Sequence, residues 1–130
     1  VRNKNYTIKN HAYLSEEGEY FSETTFKLFN ALREEVLALD DVVTEEFLKL
    51  YIAYKAETNF VDVIPLAKRL KLSLNMPFDV IQDQKNMCKD VRGLGRWGNG
   101  DVEVIFSDIK DLPYIVGLIR QSFELQLAYE

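Results

Sequence analysis

The chain of 130 residues is poor in the residues that most often carry chemistry or enforce covalent structure. It has one cysteine, Cys88, so no internal disulfide can form, and a reducing, cytoplasmic setting is expected. It has one histidine, His11, near the amino end. A Ser-His-Asp set or a histidine metal cluster is therefore not expected, and neither is a bound metal or cofactor. With three prolines and six glycines, no repeat or low-complexity tract is visible. No apolar run approaches the roughly 20 residues of a membrane helix, and no basic-then-apolar signal pattern opens the chain. Net positive charge is also lacking: the formal balance is -5, which argues against the whole surface binding nucleic acid. Val1 stands where a start methionine would, so a fragment of something longer is expected.

What is present is an ordinary globular composition, 47% hydrophobic and 28% charged, of a size that suits one core. Residues 1–20 are polar and punctuated, and are read as a linker and docking segment. Residues 21–130 are read as a single α+β domain. Within it, Phe26, Phe29, Leu32, Val36 and Leu39 recur at steps of three and four, one helical stripe. Ser22 is the expected N-cap, because its hydroxyl can accept from a first-turn amide. A second stripe, Leu112, Ile115, Ile119, Phe123 and Leu127, marks a carboxy-terminal helix. Pro113 is tolerated only in a first turn, which makes Asp111 the expected cap.

Between the stripes the period falls to two. Phe47–Lys55, Asn59–Pro65, Arg69–Asn75 and Asp101–Phe106 read as strands. In "RLKLSLN" Leu70, Leu72 and Leu74 face one way, and Arg69, Lys71 and Ser73 face water. Short polar turns at Ala56–Asn59 and Pro65–Lys68 imply an antiparallel meander. Met76–Val91 is a long crossover with a helical turn expected near Gln84–Cys88. The expected fold is an antiparallel sheet of four or five strands, covered by an N-terminal and a C-terminal helix. Leu32, Val36, Leu72, Leu74, Ile115 and Ile119 should be buried.

The stretch "RGLGRWGNGDVEVIF" holds four of the six glycines and the only tryptophan. Gly93, Gly95 and Gly98 spell G-x-G-x-x-G, but a dinucleotide fingerprint follows a strand and opens a helix. These glycines lead into a strand instead. Asn99-Gly100 is a strong turn signal, because both central positions need positive φ. The glycines thus shape a loop around Arg96 and Trp97, and Trp97 is either a core plug or a stacking platform. Lys68, Arg69, Lys71, Lys89, Arg92 and Arg96 make the middle of the chain locally basic, against acidic runs at Glu16–Glu23 and Asp40–Glu46. The candidate binding residues are Lys55, Lys68, Arg92, Arg96 and Trp97, expected to converge on one face beside the loop. The carboxylates Asp62, Asp101 and Glu103 lack the Glu/Asp-x-Lys spacing of a two-acid-plus-lysine nuclease. No catalytic residue is assigned, and Cys88 is read as a packed thiol.

In order, "KLYIAYKAETNFVDVIPLAKRLKLSLNM", "KDVRGLGRWGNGDVEV" and "DLPYIVGLIRQSFE" resemble a small prokaryotic domain of unknown function, sometimes labelled a predicted transport protein. The resemblance covers about residues 6–126. Such a domain stands at the C-terminus of proteins similar to GmrSD-type, modification-dependent restriction endonucleases, behind nucleotide-using and HNH parts. "YTIKNHAYL" is similar to the link before it. The resemblance implies a non-catalytic accessory module of a DNA-targeting defence protein, with DNA or upstream nuclease domains as partners. The alternative is a structural or oligomerisation module, in which homo-oligomers form without nucleic acid.

Overall fold

The computed structural model describes residues 21–93 and 100–128. Helix α1 spans Glu23–Leu37 and helix α2 spans Leu112–Ala128. Six strands lie between them: β1 (Thr44–Phe47), β2 (Ile52–Lys55), β3 (Asn59–Pro65), β4 (Leu70–Leu74), β5 (Cys88–Asp90) and β6 (Val102–Phe106). They form one sheet in the order β1-β2-β3-β4-β6-β5, with every neighbouring pair antiparallel. The α+β class, the antiparallel sheet and the two helices match the sequence expectation. The strand number does not: the described residues form six strands, not four or five.

Helix α1 begins as its sequence directs, and α2 begins differently. At α1 the Ser22 hydroxyl accepts from the Thr25 amide at 3.1 Å, and the Ser22 amide donates to the Thr25 hydroxyl at 2.8 Å. Two otherwise unpaired donors are thereby satisfied reciprocally. At α2 a 3-10 turn, Ile109–Asp111, precedes the helix. Asp108, not Asp111, caps that turn by accepting from the Lys110 amide at 2.9 Å. Pro113 then falls in the first turn of α2, where a missing amide costs nothing.

The helices lie on one face of the sheet, α2 against β3 and α1 against β4 and α2. Leu32, Val36, Leu72, Leu74, Ile115 and Ile119 are all buried, as their spacing requires. A register shift opposite Tyr54 and Lys55 makes Phe60 an extra residue in β3. A bulge of this kind turns two successive side chains to one side. Val61 stays in the core beside Phe60, whose ring meets Phe123 of α2 edge-on at 5.2 Å.

The other face is ordered by register. Glu46, Ala53, Asp62, Ser73, Glu103 and Lys89 stand opposite one another in a row across all six strands. Ser73 was expected in water, yet it is 4% exposed, and Asp62 is 1% exposed. Both lie on inner strands, and Ser73 stands between the longer side chains of Asp62 and Glu103. Lys71, one step along β4, bears out its outward reading only in part, being half-buried and 3.6 Å from Glu103.

The crossover Asn75–Met87 carries its helical turn at Phe78–Val80, earlier than Gln84–Cys88. Pro77 fixes the entry to that turn, whereas Asn86 takes a positive φ of 55°, which a helix cannot continue through.

Candidate functional site

The glycine-rich stretch is the connection between β5 and β6, an antiparallel pair at the sheet edge. No helix follows it, so the fingerprint reading has no anion-holding helix end to use. The Val91 amide donates to the Asp101 carbonyl at 2.9 Å and closes the base of the loop. Gly93 and Gly100 both have positive φ, 78° and 97°. Gly100 is also pressed on its neighbour: a Cβ there would lie 2.1 Å from the Leu74 carbonyl oxygen. Only glycine fits such a position. The loop residues Gly95, Arg96, Trp97, Gly98 and Asn99 lie outside the described residues, as does His11.

Arg92 stands at the base of this loop. Its amide and its Nε both donate to Asp90 Oδ1, at 3.1 and 2.9 Å. Its Nη2 donates to Asp90 Oδ2, and its Nη1 to Asp79 Oδ2 at 3.1 Å. The hydrogen bond from Arg92 holds the Asp90 carboxyl below the usual carboxylate range. The bond to Asp90, then the charges of Asp79 and Asp90, make the Arg92 guanidinium still harder to deprotonate.

The other two lysines do not join Arg92. Lys55 ends β2 at the same end of the sheet, but β3, β4 and β6 intervene, roughly 19 Å of sheet. It pairs with Glu46 at 3.0 Å. Lys68 lies in the β3–β4 turn, at the opposite end, because β3 runs from Asn59 beside Lys55 to Pro65 beside Leu70. The expected convergence of Lys55, Lys68 and Arg92 therefore does not occur. Strand direction separates them, and that direction is not encoded in local composition.

The carboxylate candidates are also spread. Asp62 and Glu103 share the row across the sheet face opposite α1 and α2, with Ser73 between them. Asp62 accepts from the Asn59 side chain at 2.8 Å, and Glu103 faces Lys71. Among the described residues no group of three or more His, Cys, Asp and Glu side chains could hold a metal ion. No described helix is long and apolar enough to cross a membrane.

Two constellations escaped the sequence reading. Asp83 gathers the crossover by accepting from the amides of Met87 (3.1 Å) and Cys88 (2.8 Å) and from the Tyr114 hydroxyl. Its only sequence signal is an Asp ahead of a turn residue, Asn86. Arg33 of α1 forms a two-bond fork with Glu45 of β1, at 2.7 and 3.0 Å, and Tyr54 donates to the same carboxylate at 2.8 Å. Arg33 stands four residues after Phe29, on the buried stripe, and that spacing was the available signal.

The domain of unknown function DUF5655 matches residues 16–126. The chain belongs to this family. A search of curated proteins finds an uncharacterized protein of Haemophilus influenzae that is 33% identical over 112 residues. The match takes in 86% of this chain and 36% of that relative, so the chain spans about a third of the relative's length. No solved structure matches.

Proposed function

We propose that this DUF5655 domain is a non-catalytic accessory module of a longer, DNA-targeting restriction or defence protein. In this reading the sheet end that carries the β5–β6 connection contacts nucleic acid. The observation behind it is Arg92, a guanidinium oriented at the base of a loop whose sequence adds Arg96 and Trp97. Arginine pairs with phosphate in bidentate fashion, and an indole stacks on a base. The defence context rests on the resemblance of the three ordered motifs to the C-terminal domain of GmrSD-type enzymes. The length of the Haemophilus relative agrees with a module inside a larger chain.

A second reading is a structural or partner-docking module without nucleic-acid binding. The net charge of -5 and the pairing of Lys55, Lys71 and Arg92 with carboxylates favour it. The deciding experiment titrates the full 130-residue chain against plain and base-modified DNA duplexes at two salt concentrations, with sedimentation in parallel. Binding that weakens steeply with salt supports the first reading, because phosphate contacts release counterions. No binding at low salt, with self-association in sedimentation, supports the second.

A further inference from the structure

The geometry points to Asp79 as an internal competitor for the phosphate-facing edge of Arg92; this inference rests on the nucleic-acid reading above. A guanidinium offers two edges for bidentate pairing, one through Nε and Nη2 and one through both Nη atoms. Asp90 takes the first edge with both oxygens. It sits two residues away on β5 and accepts the Arg92 amide as well, so it orients the side chain from within the same short segment. Among the described residues the second edge meets only Asp79, through a single 3.1 Å bond from Nη1. Asp79 comes from the 3-10 turn of the crossover, thirteen residues earlier, and its side chain is 72% exposed. A phosphate oxygen arriving at both Nη atoms would replace that one bond with two. The two carboxylates therefore have different roles: Asp90 positions the guanidinium, and Asp79 holds the edge that an anion would take.

The test compares the full chain with Asp79→Asn, the double variant Asp79→Asn/Arg92→Ala, and Glu124→Gln. Glu124 is exposed on α2 and removes the same charge elsewhere. The probe is a labelled DNA duplex at low and moderate salt, read by fluorescence anisotropy. Asp79→Asn should bind roughly two- to fivefold more tightly at low salt, the size of an exposed charge contact. The gain should vanish in the double variant and be absent from Glu124→Gln. An equal gain in Glu124→Gln would reduce the effect to net charge and overturn the inference. Unchanged affinity of Asp79→Asn beside measurable wild-type binding would overturn it while leaving the nucleic-acid reading intact. No binding by any variant at low salt would remove both.

Discussion

The Tyr114 hydroxyl, on α2, donates to the carboxylate of Asp83, in the crossover that leads to the edge strand β5. The same hydroxyl accepts from the Lys85 amide at 2.9 Å, and the Lys85 ammonium lies 5.0 Å from the centre of the tyrosine ring. Together with the Met87 and Cys88 amides on Asp83, these contacts fasten an otherwise irregular segment to the helix layer. Burial pushes the Asp83 carboxyl up, but the hydrogen bonds from Tyr114, Cys88 and Met87 together hold it below its ordinary 3.8. A carboxyl depressed in the folded state adds stability above its unfolded value and loses it as pH falls through the folded one. Asp83→Ala should therefore lower stability at neutral pH by about 1 kcal/mol, with the difference shrinking below about pH 4. Urea unfolding of both proteins at several pH values checks this. A difference independent of pH would assign the effect to packing rather than to the carboxylate.

Cys88 shares this corner. Burial, the negative charge of Asp83 and a hydrogen bond with it push the thiol up to about 12. The thiolate is the reactive form, so the folded chain should react slowly with a thiol reagent at pH 8, far below the unfolded rate. Asp83→Asn should speed the reaction in the folded state, because it removes a like charge from beside the sulfur. Equal rates in folded and unfolded protein would refute the assignment.

Three glycines should respond to alanine in three different ways. Gly100 has φ +97°, and an added Cβ would stand 2.1 Å from Leu74 O and 2.4 Å from Asn75 Cα. Backbone cannot yield there cheaply, so Gly100→Ala should cost roughly 3 kcal/mol or more. Gly93 has φ +78° with nothing within 4 Å, so Gly93→Ala meets only the left-handed penalty, about 1–2 kcal/mol. Gly117 lies exposed inside α2 with open space around it. Gly117→Ala should therefore stabilise by about 0.5–1 kcal/mol. Thermal unfolding of the three variants gives the order, and a reversal between Gly93 and Gly100 would contradict the packing described.

The same positions show what the sequence made legible. Period-3.6 stripes placed both helices nearly to the residue, because long apolar stripes leave little freedom, and the Ser22 cap was legible as well. Strands β3, β4 and β6 were equally legible, being inner strands with strong alternation or continuous apolar character. The edges were not. Thr44–Phe47 and Cys88–Asp90 are short, half-exposed and charged, as edge strands commonly are, and such sequences read as loops. Phe47–Lys55 looked like one strand because its turn, Leu48 to Tyr51, contains no glycine, proline or asparagine. At the candidate site Gly100 was readable from its turn dipeptide. The separation of Lys55, Lys68 and Arg92 was not, since it follows from strand order and direction.

Glu45 illustrates the edge problem and supports a sharp test. It reads as surface acid, yet its side chain is 6% exposed and forked to Arg33, itself 10% exposed. Two charges in so dry a place are held by each other and by the Tyr54 hydroxyl. Removing one partner leaves the other charged and buried, which is worse than removing both. Arg33→Met should thus destabilise by about 3 kcal/mol, chiefly by taking the two-bond fork from the buried Glu45 carboxylate. Glu45→Gln keeps an acceptor for Tyr54 while losing the charge. The double variant Arg33→Met/Glu45→Gln should therefore be more stable than Arg33→Met alone, although it carries one more substitution. Urea unfolding of the four proteins closes the cycle. Additive losses would mean that the fork contributes no coupling between α1 and β1.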